Sequence, residues 1–225
     1  MTEVGGGLRV FDDILFGFGE DEMCTAGRGQ VLAPWPNRLA EGTYEWEGET
    51  HRLPVTDRRS NSANHGLVRW TNWTCVDRSD SSVAMEYVLH PQPGYPFTLR
   101  LRVEYTLGDD GLTVRTIAEN VGGRACPFGA GHHPYIACEV DELYGGETID
   151  DNRRWDGSYE VAGVTVWADE QWPYVQLFTG DLPDIARRGF AVEPMTCPPQ
   201  AFRTGEGLIR LEPGGGFEGR WGIRR

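Results

Sequence analysis

The clearest pattern along the chain is a strict alternation of apolar and polar side chains in FTLRLRVEYTL, residues Phe97–Leu107. A period of two residues is typical of a β-strand with one buried face and one wet face. The letters GDDG follow, and LTVRTIAENVG then resumes the alternation. Two such runs joined by a short, glycine-containing turn predict a β-hairpin.

Shorter runs of the same kind predict further strands at Gly42–Trp46, Ser82–Leu89, Gly163–Trp167, Tyr174–Thr179, Ala191–Pro194 and Leu208–Glu212. No long window free of Gly and Pro has an apolar stripe at helical spacing, so we expect only short helical turns. The chain is therefore predicted to be all-β, a large sandwich of antiparallel sheets. The acidic, turn-rich segment Glu139–Tyr159 is interpreted as a loop region.

Length and charge narrow the class of protein. We expect 225 residues to form a single domain, 1–225. The net charge of -13 disfavours nucleic acid and anionic membranes as partners. The N-terminus lacks the pattern of an export signal, and the five cysteines are widely spaced without a CxxC pair. We therefore expect a cytoplasmic protein with reduced thiols that fill the core.

Four phrases are unusually rich in polar, aromatic and turn residues: PWPNRLAEG, NHGLVRW, GAGHHPY and AVEPMTCPPQAF. Loops on a rigid scaffold commonly carry catalytic groups, so we expect the residues of a functional site in these phrases. His132 and His133 precede a proline in extended backbone, which predicts that their rings point to opposite faces. His65, taken alone, is more often a structural histidine beside a glycine turn than a catalyst.

Glu193 lies in an otherwise apolar strand, where a carboxylate must be paired, hydrogen-bonded or raised in pKa. It is a candidate general base, and equally a candidate ion-pair partner for an arginine such as Arg188. The guanidinium of Arg38 suits either an ordinary ion pair or forked hydrogen bonds to sugar hydroxyls. The phrases show neither metal-ligand spacing nor a GxSxG elbow, which leaves acid–base catalysis as the candidate chemistry. Four aromatic residues are candidates for a sugar-stacking wall or for the core: Trp35, Trp70, Tyr95 and Phe202.

The four phrases, together with PGYPFTLRLRVEYTL and VQLFTGD, occur in an order that resembles the aldose 1-epimerases, especially their bacterial branch. The resemblance implies a galactose-mutarotase-like supersandwich and an enzyme that interconverts the α and β anomers of free hexoses such as glucose or galactose. It implies no metal and no cofactor, a small-molecule sugar as partner, and a monomer. Compared with the usual family pattern, the chain is shortened between about Tyr135 and Gly163.

The resemblance also implies roles for individual residues. Glu193 matches the family's base, His133 matches the acid that protonates the ring oxygen, and His65 matches a second histidine of the site. Arg38, with Asn37 before it, matches a sugar-binding pair, and Asp150 is the match for an aspartate that binds sugar hydroxyls.

Two other functions remain open at this point. Related hexose-6-phosphate 1-epimerases also carry an arginine shortly after an H-G phrase, and Arg58, Arg59 and Arg69 would then cradle a phosphate. A non-catalytic sugar-binding protein on the same fold is the second alternative, because a fold alone does not establish an activity.

Overall fold

The computed structural model describes residues 4–11, 13–19 and 21–225, and strands dominate it. The first ten strands are β1 Val31–Leu32, β2 Arg38–Ala40, β3 Thr43–Trp46, β4 Glu49–Arg52, β5 Ser62–Asn64, β6 Thr74–Arg78, β7 Ser82–Leu89, β8 Leu99–Gly108, β9 Gly111–Asn120 and β10 Cys126–Phe128. The remaining strands are β11 Gly131–His132, β12 Tyr135–Ala137, β13 Asp150–Arg154, β14 Ser158–Val161, β15 Val164–Ala168, β16 Tyr174–Phe178, β17 Gly189–Met195, β18 Ile209–Leu211 and β19 Gly216–Arg224. Two short helices complete the list: α1 Val140–Tyr144 and α2 Ala201–Thr204. Neither of these helices is long and apolar enough to cross a membrane.

The strands form two large antiparallel sheets. One has seven strands in the order β14-β15-β19-β9-β8-β7-β6. The other has six strands in the order β1-β11-β17-β16-β13, with β12 also paired to β17. Three two-stranded ribbons accompany them: β2 with β5, β3 with β4, and β10 with β18.

The two sheets share one hydrophobic core. On β9 every second side chain is buried, and its Val114 belongs to the same core cluster as Val192 of β17 in the other sheet. His132 of the six-stranded sheet bonds Thr116 of the seven-stranded sheet, with 2.7 Å between Nε2 and Oγ1. Burial of the inner faces therefore holds the sheets together and fixes the position of β17. The all-β sandwich predicted from the alternating pattern is confirmed.

The strand predictions agree closely with the structure. β8 and β9 pair from Leu99↔Asn120 to Gly108↔Gly111, which confirms the hairpin. The six shorter predicted strands correspond to β3, β7, β15, β16, β17 and β18. The prediction of only short helical turns also agrees with α1 and α2.

The loop predicted for Glu139–Tyr159 was wrong. This segment contains α1 and β13, and β14 begins at Ser158. β13 lies at the edge of its sheet, pairs with β16 alone and has no fully buried side chain. Since neither face of this edge strand is buried, its sequence DDNRR needs no apolar alternation.

The cysteines only partly fit the expectation that they fill the core. All five are free thiols; Cys24, Cys126 and Cys197 are buried, whereas Cys138 is partly buried. Cys75 is exposed because it belongs to the edge strand β6, whose five side chains all face solvent. The expectation was wrong for Cys75.

Candidate active site

A cavity of about 730 Å³, called here the central cavity, opens beside the six-stranded sheet. It brings together all six site residues expected from the sequence: Asn37, Arg38, His65, His133, Asp150 and Glu193. They come from β17, from the start of β13, from the turn between β11 and β12, and from the segments around β2 and β5. Residues far apart in the chain therefore converge on one polar cavity.

Glu193 occupies the middle of β17, a strand in which every residue is buried. Its side chain points into the central cavity, and its Oε1 lies 3.4 Å from Nε2 of His133. The other oxygen, Oε2, is buried without a hydrogen-bond partner. Burial raises the pKa of Glu193 well above its usual value; the charge of Asp150 adds to this rise, and that of Arg38 opposes it. Arg188 instead lies over the ring of Phe16, so an Arg188–Glu193 ion pair was the wrong alternative.

His133 lines the central cavity beside Glu193. Its ring stacks on Tyr135, with the centroids 5.0 Å apart and the planes inclined by 10°. Gly27 packs against the edge of the ring so tightly that a Cβ there would lie 2.7 Å from Cδ2. Burial, helped by the charge of Arg69, lowers the pKa of His133 to about 3. Packing thus fixes the imidazole, and desolvation disfavours its charge.

Burial disfavours a charge on both Glu193 and His133. The uncharged form of each group is favoured because isolated ions are costly in a poorly hydrated interior. Oε1 of Glu193 and Nε2 of His133 lie 3.4 Å apart, so a carboxyl group and an imidazole border the same part of the cavity.

His132 turns away from the cavity, as the alternation of extended backbone predicted. Its ring lies against Trp221 and Trp172, with centroid distances of 5.1 and 5.5 Å. Its Nε2 bonds Thr116, and burial lowers its pKa to about 3. His132 is therefore a core histidine that joins the two sheets.

His65 has a fixed tautomer. The backbone N–H of Asn37 donates to Nδ1 of His65 at 3.1 Å, so the proton of the neutral ring must sit on Nε2. In return the backbone N–H of His65 donates to the carbonyl of Asn37 at 2.9 Å. Burial, followed by the charge of His133, lowers the pKa of His65 well below its usual value. His65 is consequently a neutral donor through Nε2.

The glycine after His65 explains the H-G phrase. Gly66 has a φ of +71°, and a Cβ at this position would lie 2.0 Å from the carbonyl oxygen of Ala33. Only glycine permits this close approach of two backbones, which holds the His65 turn against the segment before Asn37.

A hydrogen-bonded chain of amides supports the floor of the cavity. Asn37 Nδ2 donates to Gln176 Oε1 at 3.1 Å, and Gln176 Nε2 donates to Asp150 Oδ1 at 2.7 Å. Asn37 Oδ1 accepts the backbone N–H of Arg38 at 2.8 Å. Both polar ends of the Asn37 side chain are therefore engaged within the protein. Gln176 also pairs directly with Glu193 in the β16–β17 register.

Gln176 and Asp57 are cavity residues that the sequence reasoning missed. The signal for Gln176 was a buried amide in the apolar strand YVQLF. Asp57 contacts Arg38 with 3.4 Å between Oδ2 and Nε. Arg38 thus makes an ordinary ion pair, and it also lines the cavity.

His65, His133 and Glu193 offer potential metal-ligand atoms within 4.8 Å of one another. His65 does not suit a metal, because its Nδ1 accepts an N–H and its Nε2 carries the ring proton. A metal-bound histidine donates its second ring N–H instead of accepting there. The arrangement therefore suits proton transfer better than metal binding.

Comparison with known proteins identifies the family. Residues 4–155 match the family model for aldose 1-epimerase. The chain is 33% identical over 243 aligned positions to the uncharacterized protein YihR of Escherichia coli K12, covering 86% of this chain and 78% of that protein. The chain belongs to the aldose 1-epimerase family.

Solved structures share the fold. A galactose mutarotase-like protein from Clostridium acetobutylicum superposes with a TM-score of 0.77 at 14% identity, covering 93% of this chain and 84% of the other. The galactose 1-epimerase of Lactobacillus acidophilus NCFM gives a TM-score of 0.73 at 15% identity, covering 99% and 89%. The chain thus has the galactose-mutarotase-like supersandwich fold implied by the sequence resemblance.

Proposed function

We propose that this protein is an aldose 1-epimerase that interconverts the α and β anomers of free hexoses such as glucose or galactose. The observation that carries the proposal is the 3.4 Å contact between His133 Nε2 and Glu193 Oε1 inside the central cavity. Mutarotation requires one proton to leave the anomeric hydroxyl and another to reach the ring oxygen. A carboxyl group and an imidazole that lie side by side in the cavity can serve as the base and the acid for these two transfers.

Ring opening begins from the state in which His133 carries a proton and Glu193 is ionised. Arg38 favours this state, because its positive charge lowers the pKa of Glu193. Glu193 then takes the proton from the anomeric hydroxyl as the bond between C1 and the ring oxygen breaks. The electrons of that bond go to the ring oxygen, which receives the proton of His133, and C1 becomes an aldehyde.

Ring closure reverses these transfers after rotation about the C1–C2 bond has turned the aldehyde. His133 takes the proton back from the hydroxyl that was the ring oxygen as this oxygen attacks C1. Glu193 returns its proton to the aldehyde oxygen, and the other anomer leaves. Both residues regain their starting protonation states, and the reaction uses no other reagent.

His65 and Arg38 act on the charge that develops at the ring oxygen. His65 does so as a neutral donor through Nε2, because its lowered pKa and the N–H of Asn37 exclude the charged form. A fixed donor of this kind stabilises the transition state without reorganising. Asp150 accepts hydrogen bonds from sugar hydroxyls, and Asn37 supports the floor of the cavity through its hydrogen bond to Gln176.

A polarimeter tests the proposal directly. Freshly dissolved α-D-glucose and α-D-galactose should approach anomeric equilibrium faster with the protein than in buffer. Binding of both sugars without any acceleration would refute the epimerase and favour the non-catalytic sugar-binding alternative. We propose further that the protein is cytoplasmic and works as a monomer with a single domain. Size-exclusion chromatography tests whether it is a monomer.

One observation favours a second candidate, an epimerase of hexose 6-phosphates. Arg69 is partly buried and lines the cavity, and no carboxylate of the described residues lies within ion-pair distance of it. Burial lowers its pKa, so an anionic group on the sugar would stabilise its charge. Arg59 also lines the cavity, whereas Arg58 does not.

Arg69→Gln, with Arg58→Gln as the matched control outside the cavity, separates the two candidates. For a phosphosugar enzyme, kcat/KM for glucose 6-phosphate should exceed that for glucose and should fall about 10-fold or more in Arg69→Gln only. Equal use of both sugars by the wild type and by both variants would dismiss the phosphosugar.

A further inference from the structure

Trp70 stands apart from the other tryptophans of the chain. All eight lie within the described residues, and Trp70 alone is exposed, with a relative accessibility of 53%. Of the four aromatic candidates for a stacking wall, Trp35, Tyr95 and Phe202 are in the core. Trp70 instead lines the central cavity that contains Glu193 and His133.

The backbone around Trp70 is fixed on both sides. The side-chain amide of Gln30 donates to the carbonyl of Arg69 at 3.0 Å, and the N–H of Gly5 donates to the carbonyl of Thr71 at 2.8 Å. Thr71 Oγ1 donates to the carbonyl of Val68 at 2.8 Å. An indole carried on an ordered turn loses little conformational entropy when a ligand packs on it.

The cavity is continuous between Trp70 and the catalytic pair. The guanidinium carbon of Arg69 lies 6.0 Å from the centre of the Trp70 ring, and its charge acts on His133. Met23, which is 70% exposed, also lines the cavity and adds a second apolar side chain to the accessible rim. The same cavity therefore extends from His133 to the indole.

The cavity is also large compared with a single sugar ring. Pockets of about 300–1,000 Å³ hold drug-sized ligands, and the cavity of about 730 Å³ falls well inside that range. A single hexose is smaller than such ligands, so the cavity has room for a second sugar ring. The apolar C–H face of a pyranose packs well on an aromatic ring whose other side stays wet.

We propose that Trp70 forms a stacking subsite for the second sugar of a reducing disaccharide, whose reducing ring lies at Glu193 and His133. This inference rests on the proposed function and adds a substrate preference to it. The protein discriminates in favour of substrates with a glycosyl substituent, and Trp70 carries that discrimination.

The test compares glucose with four disaccharides that all have glucose at the reducing end: maltose, cellobiose, lactose and melibiose. The quantity measured is the ratio of kcat/KM for each disaccharide to kcat/KM for glucose. The ratio for at least one disaccharide should exceed one in the wild type and fall about 10-fold in Trp70→Ala. Trp70→Phe should retain part of the preference, because it keeps an aromatic face.

Leu143→Ala is the matched control, since Leu143 is exposed and does not line the cavity. It should keep the wild-type ratio. Ratios that are the same in the wild type and in Trp70→Ala for every disaccharide would overturn the subsite while leaving the epimerase intact.

If no sugar is turned over, the proposed function fails, and equilibrium binding followed by NMR titration tests the subsite on its own. A Trp70-dependent gain in affinity for a disaccharide over glucose would support it. Equal affinities, or no binding of any of the five sugars, would overturn it.

Discussion

Protonation of His132 should destabilise the folded protein in acid. The ring is buried against Trp172 and Trp221, and its pKa is lowered to about 3, whereas an unfolded chain binds the proton near pH 6.5. Between these two values the unfolded state binds more protons than the folded state, so stability falls as the pH falls. From pH 7 to pH 5 this one residue should remove about 2 kcal/mol from the free energy of unfolding.

Urea unfolding followed by tryptophan fluorescence at the two pH values measures the loss. His132→Gln keeps a hydrogen-bonding group for Thr116 but cannot be protonated, so it should lose about 2 kcal/mol less than the wild type. His65 and His133 still contribute in both proteins and cancel in the comparison. His90→Gln, which removes an exposed imidazole, controls for the loss of a histidine as such. Equal losses in the wild type and His132→Gln would refute the reasoning.

Three further predictions concern the central cavity. Because burial lowers the pKa of His133 to about 3, kcat/KM should show no inflection near pH 6.5 and should fall in acid only near pH 3; a clear inflection near 6.5 would contradict this. Gly27→Ala places a Cβ 2.7 Å from His133 Cδ2 at a φ of +75°, so it should lower kcat about 10-fold or more without unfolding the protein, as circular dichroism checks, whereas Gly123→Ala, in open space, should not. Asp150→Asn keeps an oxygen that accepts from Gln176 but weakens hydrogen bonds to sugar hydroxyls, so KM should rise about 10-fold. The change also removes a charge that raises the pKa of Glu193, so the alkaline limb of the pH profile should move to lower pH. An unchanged alkaline limb would contradict this effect of Asp150 on Glu193.

The strands that alternation could predict are those with one wet face and one buried face, such as β8 and β9. The long strand β19 was not predicted, because its glycines mask the pattern. A Cβ at Gly219 would lie 2.6 Å from Nε1 of Trp172, and one at Gly222 would lie 2.2 Å from the carbonyl oxygen of Leu112. These glycines are required by neighbours that are distant in sequence, so local patterning could not identify the strand.

The site, too, could be predicted from the sequence only in part. Family resemblance was sufficient to name Glu193, His133 and His65, and the structure brings them together. It could not supply the N–H of Asn37 that fixes the tautomer of His65, or the amide of Gln176 that holds Asp150. These contacts depend on residues brought together only by folding, and no local sequence signal encodes their geometry.

The central claim is that Glu193 is the base of a mutarotase, and polarimetry of fresh α-D-glucose with Glu193→Gln tests it most directly. The amide keeps the size of the side chain but cannot accept the anomeric proton, so the catalysed rate should fall by a factor of about 10²–10⁴. Glu160→Gln, which alters an exposed carboxylate outside the cavity, should keep the wild-type rate. A folded Glu193→Gln protein that matches the wild-type rate would contradict the account.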